Sequence, residues 1–383
     1  MDAEGAKVKM HYLDNAATTP VAAAVADRIH EVMVSEFGNP SSLYSLGVSS
    51  EKVLNSARRT VAEAMGVLPE EIYFTAGGSE SNNIAILGTA RARSNWGDTV
   101  IAAGYEHPSV QNTVRHLADE GFRIIEVRPV GGIIRPEDIL EHVDKKTVLV
   151  CAMRVNNETG AMIDTSALAS EVKKINRRTG FHCDTVQSFL KEKTVFDGSI
   201  DTASISGHKI HAPKGIGALY IRKGYHLAVT EFGGGQEKGI RPGTENVPYA
   251  AGLAAAITAA GDFRMRHEKV RALRDLALEK ILAFPNAVIN SPEGASPYIL
   301  NFSFLGYRSE TMIHFLESRG IYVSGGSACS KGQKSHTLEA MGLPDKRIDA
   351  ALRVSYSADN TLEDVQALAE GLAEAAETLM KAN

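Results

Sequence analysis

A thiol at the centre of "SGGSACSKG", residues 324–332, has glycines, serines and lysines for neighbours. Free cysteine usually packs as a small hydrophobe among apolar side chains. Cys329 stands instead in a stretch whose composition reads as a wet, mobile loop. A thiol carried there can act as a nucleophile once ionised, yet an ordinary thiol near pKa ~8.5 is only a few per cent thiolate at neutral pH. Lys331 and Lys334 close by, or a histidine, would favour the thiolate. Cys151 and Cys183, in apolar runs, are expected in the core.

Further polar groups fall where strands are expected to end, the edge at which open α/β sheets collect ligands. "FTAGGSESNN" puts Gly78 and Ser79 before a helix, where backbone N–H groups and a hydroxyl suit a phosphate. "FHCDTVQS" puts Asp184 late in an apolar strand, costly unless it is paired or hydrogen-bonded. "SISGHKIHAPKG" puts Lys209 between His208 and His211, and a lysine that must lose its proton near neutrality needs desolvation or a nearby cation. Each has a plainer alternative: Ser79 as an N-cap, Asp184 as a capping aspartate, Lys209 as a surface lysine. The histidine pair 208/211, and His182 beside Cys183, match no metal-ligand spacing, so no metal is expected. Together, a phosphate cradle, a carboxylate after a strand and a downstream lysine are the parts that pyridoxal phosphate requires.

The elements that must position these groups read as α/β: short β-branched runs alternate with longer helical stretches. "TSALASEVKKINRRTG" reads as a helix stopped by its glycine, and "AAGLAAAITAAGDFRMRHEKVRALRDLALEKILAF" as one long helix bridging two domains. A large domain is expected over 15–260. A smaller α+β domain is expected from 1–14 and 261–383, with the N-terminal segment shared. In the last helix Leu362, Val365, Leu368, Leu372, Ala375 and Leu379 recur at helical steps and predict one buried face. Patterned sequence begins near Met10, an alternative start with a tag remnant before it.

The chain has 383 residues, a net charge of -5 and three cysteines. That charge gives no electrostatic case for nucleic acid or an anionic membrane. Few cysteines in a long chain fit a reducing compartment, no run is apolar enough to span a bilayer, and cytoplasm is the expected location.

The ordered motifs "YLDNAATTP", "GNPSS", "FTAGGSESNN", "EHPSV", "VNNETG", "HCDTVQS", "SGHKIHAPKGIGALY", "GGGQEKGIRPGTEN", "SGGSACS" and "LRVS" run nearly end to end. In them the sequence resembles the cysteine desulfurases of the class V aminotransferase group, which have the fold-type I pyridoxal phosphate architecture. The resemblance implies that Lys209 binds the cofactor aldehyde and that Asp184 pairs with its ring nitrogen. Gln187 and Asn157 would reach the phenolic oxygen, His107 would stack on the ring, and Gly78, Ser79, Ser206 and His208 would cradle the phosphate. Thr244 would reach the phosphate of a second subunit, implying a homodimer. Arg353 would grip the substrate carboxylate, with Asn157 near it, and Cys329 would take sulfur from L-cysteine as a persulfide. An acceptor protein for iron–sulfur cluster assembly or tRNA thiolation follows. The segment after Cys329 is about two residues shorter than in housekeeping relatives, and no arginine follows "LRVS" closely, so the acceptor stays open. Rival expectations are a selenocysteine lyase or small-amino-acid aminotransferase of the same fold, and a binding module that keeps the pocket as a scaffold. An aminotransferase has no use for Cys329, and a scaffold need not keep Lys209, Asp184, Arg353 and Cys329 together.

Overall fold

Runs such as Thr147–Cys151 and Gly180–Asp184 are buried at every position, the signature of parallel strands covered on both faces. The computed structural model describes residues 9–325 and 334–381. Residues 1–8, the segment before the Met10 start, lie outside that range, as do Cys329 and Lys331.

The strands are β1 (His11–Tyr12), β2 (Ile72–Thr75), β3 (Thr99–Ala103), β4 (Arg123–Val127), β5 (Thr147–Cys151), β6 (Gly180–Asp184), β7 (Thr202–Ser206), β8 (Gly217–Ile221), β9 (Ala287–Ile289), β10 (Ile299–Phe304), β11 (Ile321–Tyr322) and β12 (Ala351–Ser355). The helices are α1 (Ala23–Ser35), α2 (Ser45–Met65), α3 (Gly78–Arg93), α4 (Pro108–Asp119), α5 (Pro136–Leu140), α6 (Thr165–Ile175), α7 (Val247–Ala259), α8 (Phe263–Leu282), α9 (Ser309–Glu317), α10 (His336–Ala340), α11 (Asp345–Asp349) and α12 (Leu362–Thr378).

Among the described residues, the large sheet has the order β2-β8-β7-β6-β5-β3-β4. β8 runs antiparallel to both its neighbours and the other pairings are parallel. The carboxyl ends of β3, β5, β6 and β7 therefore open on one edge. A second, antiparallel sheet of order β12-β10-β9 builds the smaller unit, with α8, α9 and α12 packed around it. β1 pairs in parallel with β11, so the N-terminal segment joins the small unit, while α1 and α2 pack with α7 in the large unit's core.

Three expectations are corrected. The long bridging helix is two helices. Gly261 turns left-handed at φ +69 and Asp262 caps α8, accepting from the Met265 N–H at 2.9 Å. A conformation open to glycine followed by a capping carboxylate ends one helix and starts the next. α6 stops at Ile175, short of its supposed glycine stop, because Gly180 already begins β6. In α12, Val365, Leu368, Leu372 and Ala375 are buried as expected, but Leu362 is exposed. It occupies the first turn, where the Thr361 N–H donates to Asp364 Oδ2 at 2.8 Å and polar capping sets the geometry. Cys151 and Cys183 are core residues as expected.

Candidate active site

β6 delivers Asp184 to the open edge of the sheet, 5% exposed. Its Oδ1 accepts from the Val186 N–H at 2.9 Å, so it does cap the following turn. Its Oδ2 accepts from Asn82 Nδ2 at 2.9 Å. Asn82, on α3, is the hub of this network. Its Oδ1 faces His182 Nε2 at 2.9 Å, and its Nδ2 also donates to Ser109 Oγ at 2.9 Å. An amide oxygen only accepts, so His182 Nε2 donates and its Nδ1 accepts from the Thr202 hydroxyl at 2.9 Å. Burial pushes the His182 pKa down to about 4 and keeps the ring neutral.

Ser109 Oγ lies 2.8 Å from His107 Nδ1, and the same nitrogen accepts from the Ser109 N–H at 3.1 Å. His107 thereby caps α4. Burial lowers its pKa against the opposing pull of Asp184. Glu106, beside it, is 3% exposed and accepts from the Met153 N–H. Burial, reinforced by Asp184, raises its pKa well above the carboxylate range.

β7 ends at Ser206, and the tight turn Gly207–Lys209 carries the lysine. Lys209 is not a surface lysine: its Nζ donates to the carbonyls of Ala16 and Ala17, each at 2.7 Å. Gln187 Nε2 donates to the same Ala16 carbonyl at 2.9 Å. His208 Nδ1 lies 3.2 Å from Thr18 Oγ1, and burial, then Lys209, pushes its pKa down to about 4. The "YLDNAATTP" segment is thus bound directly to the lysine turn.

At the start of α3 the N-cap is Gly77, with φ +155, a region closed to other residues. Ser79 is therefore not the cap. A Cβ on Gly78 would meet Val186 Cγ2 at 2.7 Å, and one on Gly77 would lie 3.6 Å from Ser206 Oγ. Glycines here let the helix start close in beside Ser206, where free N–H groups favour an anion. Ser79 is exposed in the first turn. Thr244 is exposed ahead of α7 and, among the described residues, hydrogen-bonds to none of these groups.

Arg353, on β12, has a side chain 1% exposed. It donates to the Asn157 carbonyl at 2.9 Å and to Asp14 Oδ1 at 2.7 Å. Its backbone exchanges two hydrogen bonds with Ser324, at 2.7 and 3.1 Å. Downstream, Ser335 Oγ donates to Glu158, and Thr337 Oγ1 donates to Glu158 Oε1 at 3.0 Å. Lys334 pairs with Asp345 at 2.8 Å.

Asn82, Glu106, Asp14 and Glu158 were not singled out from sequence. Each lies inside or beside a quoted motif, but their partners are distant in the chain, and only the fold shows them.

Pyridoxal phosphate passes a test of fit here. Gln187 Oε1 is buried with no partner among the described residues, and a buried acceptor needs a donor. The cofactor's phenolic hydroxyl would supply one, while Asp184 would meet a protonated ring nitrogen, the glycine-walled start of α3 a phosphate, and Lys209 an aldehyde. Fold and site together define a pyridoxal phosphate-dependent enzyme. The aminotransferase class-V family matches residues 11–368, and the chain belongs to that family.

Similar proteins include a NifS/IcsS protein homolog of Lactobacillus delbrueckii subsp. bulgaricus, 41% identical, covering 93% of this chain and 94% of that protein. The cysteine desulfurase IscS of Methanosarcina thermophila is 37% identical over 97% of this chain and 93% of its own. Among solved structures, a NifS-like protein superposes with a TM-score of 0.90 at 33% identity, covering 96% of this chain and 99% of the other.

Proposed function

We infer that this protein is a pyridoxal phosphate-dependent cysteine desulfurase, which converts L-cysteine to L-alanine and leaves the sulfur as a persulfide on Cys329. One observation carries the reading. Ser324, five residues before Cys329 in the chain, exchanges two backbone hydrogen bonds with Arg353, whose partner Asp14 opens the turn that holds Lys209.

When bound, pyridoxal phosphate supplies an electron sink that weakens bonds at the α- and β-carbons of an amino acid. Asp184 balances the positive ring nitrogen, held in place by Asn82 and the Val186 N–H. Lys209 moves the proton at the substrate α-carbon, positioned by the Ala16 and Ala17 carbonyls. His107, fixed by Ser109, lies against the ring. Gly78, Ser79, Ser206 and His208 hold the phosphate, and Gln187 and Asn157 address the phenolic oxygen. Arg353 takes the substrate carboxylate with a planar pair of donors. The Cys329 thiolate attacks the substrate sulfur. An S–S bond forms, the C–S bond breaks, and the electron pair stays on carbon, where a proton completes the methyl group of alanine. The outer sulfur then passes to an acceptor.

The working unit is a homodimer in which Thr244 reaches the partner's phosphate. The acceptor belongs to iron–sulfur cluster assembly or tRNA thiolation, and the compartment is cytoplasmic. Among the described residues no helix is long and apolar enough to cross a membrane.

The test uses purified holoenzyme. Lys209→Ala should abolish the visible absorption band. Cys329→Ala should still bind L-cysteine, seen as a spectral change, yet release almost no sulfide. Full sulfide turnover by Cys329→Ala overturns the persulfide route, and a strong preference for selenocysteine over cysteine overturns the substrate.

A further inference from the structure

Beside Lys209 lies a cavity of about 150 Å³ between the two units of the fold, lined by neither Asp184 nor the start of α3. Of the residues assigned to the cofactor, only Lys209 reaches its wall. Lys191, Arg266, Tyr298 and Tyr356 line it, with the alanines at the end of α7 as its apolar side.

Four polar groups on this wall lack a hydrogen-bond partner among the described residues. Lys191 is 7% exposed and, among the described residues, its Nζ makes no hydrogen bond or ion pair; its one close polar contact is the face of Tyr298, 5.9 Å to the ring centroid. The hydroxyls of Tyr298 and Tyr356, on residues 4% and 1% exposed, have no partner among the described residues, nor does Arg266 Nε. The two tyrosines are held side by side, since the Tyr356 N–H donates to the Tyr298 carbonyl at 2.9 Å. Buried charges are ordinarily paired and buried hydroxyls bonded. Among the described residues, the only carboxylate on the wall is Asp359, whose side chain is 83% exposed and which faces His211 at 3.7 Å. The backbone is also forced here: Leu190 and His211, both on the wall, adopt φ +61 and +65.

We propose that this cavity is a binding site for a small tetrahedral oxyanion, sulfate or phosphate in kind, held by Lys191, Arg266, Tyr298 and Tyr356. An acceptor-only ligand with several oxygens satisfies two cations and two hydroxyls at once, which a water molecule does not. Burial, then Lys209, Arg266 and Arg353, pushes the Lys191 pKa down to about 7, as befits an ammonium that lacks its counter-charge. The site is separate from the phosphate cradle at α3 and stands whether or not the desulfurase reading does.

The experiment is isothermal titration of the holoenzyme, whose cofactor fills the α3 cradle, with sodium sulfate and separately with sodium phosphate at fixed ionic strength. One saturable site per chain is expected for at least one of the two, and the stronger arm identifies the physiological anion class. Lys191→Met should weaken binding tenfold or more. The double variant Tyr298→Phe with Tyr356→Phe, which keeps the ring packing, should weaken it severalfold while leaving the visible spectrum of the cofactor unchanged. Crystals soaked in selenate should show an anomalous peak within the cavity. Absence of saturable binding, or binding that both variants leave unchanged, overturns the proposal. So does a cavity holding only water. If L-alanine binds there and neither inorganic anion does, the oxyanion assignment is likewise wrong.

Discussion

Arg353 and Asp14 meet at 2.7 Å with the arginine side chain only 1% exposed. The residue assigned to the substrate carboxylate already holds a carboxylate of its own chain. Substrate must therefore join or displace an internal partner, and the guanidinium is never left bare in the core between turnovers.

Asp14→Ala is expected to lower stability by about 3 kcal/mol, because it takes a carboxylate away from a buried guanidinium. Urea unfolding of the holoenzyme measures this. An unchanged midpoint would mean that the remaining contacts of Arg353 satisfy it without Asp14.

Asn82→Ala should weaken cofactor binding on the order of tenfold, since it removes one hydrogen bond to a charged group, worth about 1.5–3 kcal/mol. Titrating pyridoxal phosphate into the apoenzyme reads the loss. Asn82→Asp should be worse, because it sets a second carboxylate against Asp184.

Stability should fall as pH drops from about 6.5 towards 4. His182 has a folded pKa of about 4, below its unfolded value, so the unfolded chain binds more protons across that window. Its contribution is complete above the unfolded pKa and disappears as pH falls to the folded one, a change of about 3 kcal/mol. His208, also lowered to about 4 but less deeply buried, acts in the same direction. Unfolding midpoints across pH should show the slope, and His182→Gln should flatten it.

Glu158→Ala should cut sulfide release severalfold while leaving the cofactor spectrum and the cysteine-induced spectral change intact. Glu158 holds the hydroxyls of Ser335 and Thr337, and so anchors the chain a few residues downstream of Cys329 in sequence. Stopped-flow spectra beside sulfide assays separate the two effects. Parallel loss of both would place Glu158 in cofactor binding instead.

Much of this architecture was legible before any coordinates. The β-branched runs around Val100, Leu149 and Phe181 named strands because burial on both faces needs unbroken apolar sequence. Asp184 and Lys209 were legible because a carboxylate and an amine at the ends of apolar strands demand a reason. Asn82 was not: its partners His182 and Asp184 are about a hundred residues away, and nothing local distinguishes it from the neighbouring Asn83. The break between α7 and α8 was missed because alanines before it and arginines and a methionine after it, all good helix formers, mask a single glycine, although Gly261-Asp262 carried the signal. Lys191 drew no notice because a lysine near a strand end usually reaches water, and only the two tyrosines of the small unit close it in.

The stretch from Asp14 to Ala17 touches Arg353 at one end and Lys209 at the other. The Ala17 N–H donates to the Asp14 carbonyl at 3.0 Å and closes the stretch into a turn, so this segment works as a covalent ruler between the group proposed to seat an amino acid and the group proposed to handle its proton. A ruler cannot lengthen: one residue inserted between Asp14 and Ala16 would throw the two ends out of step, even in a chain that still folds and still turns yellow.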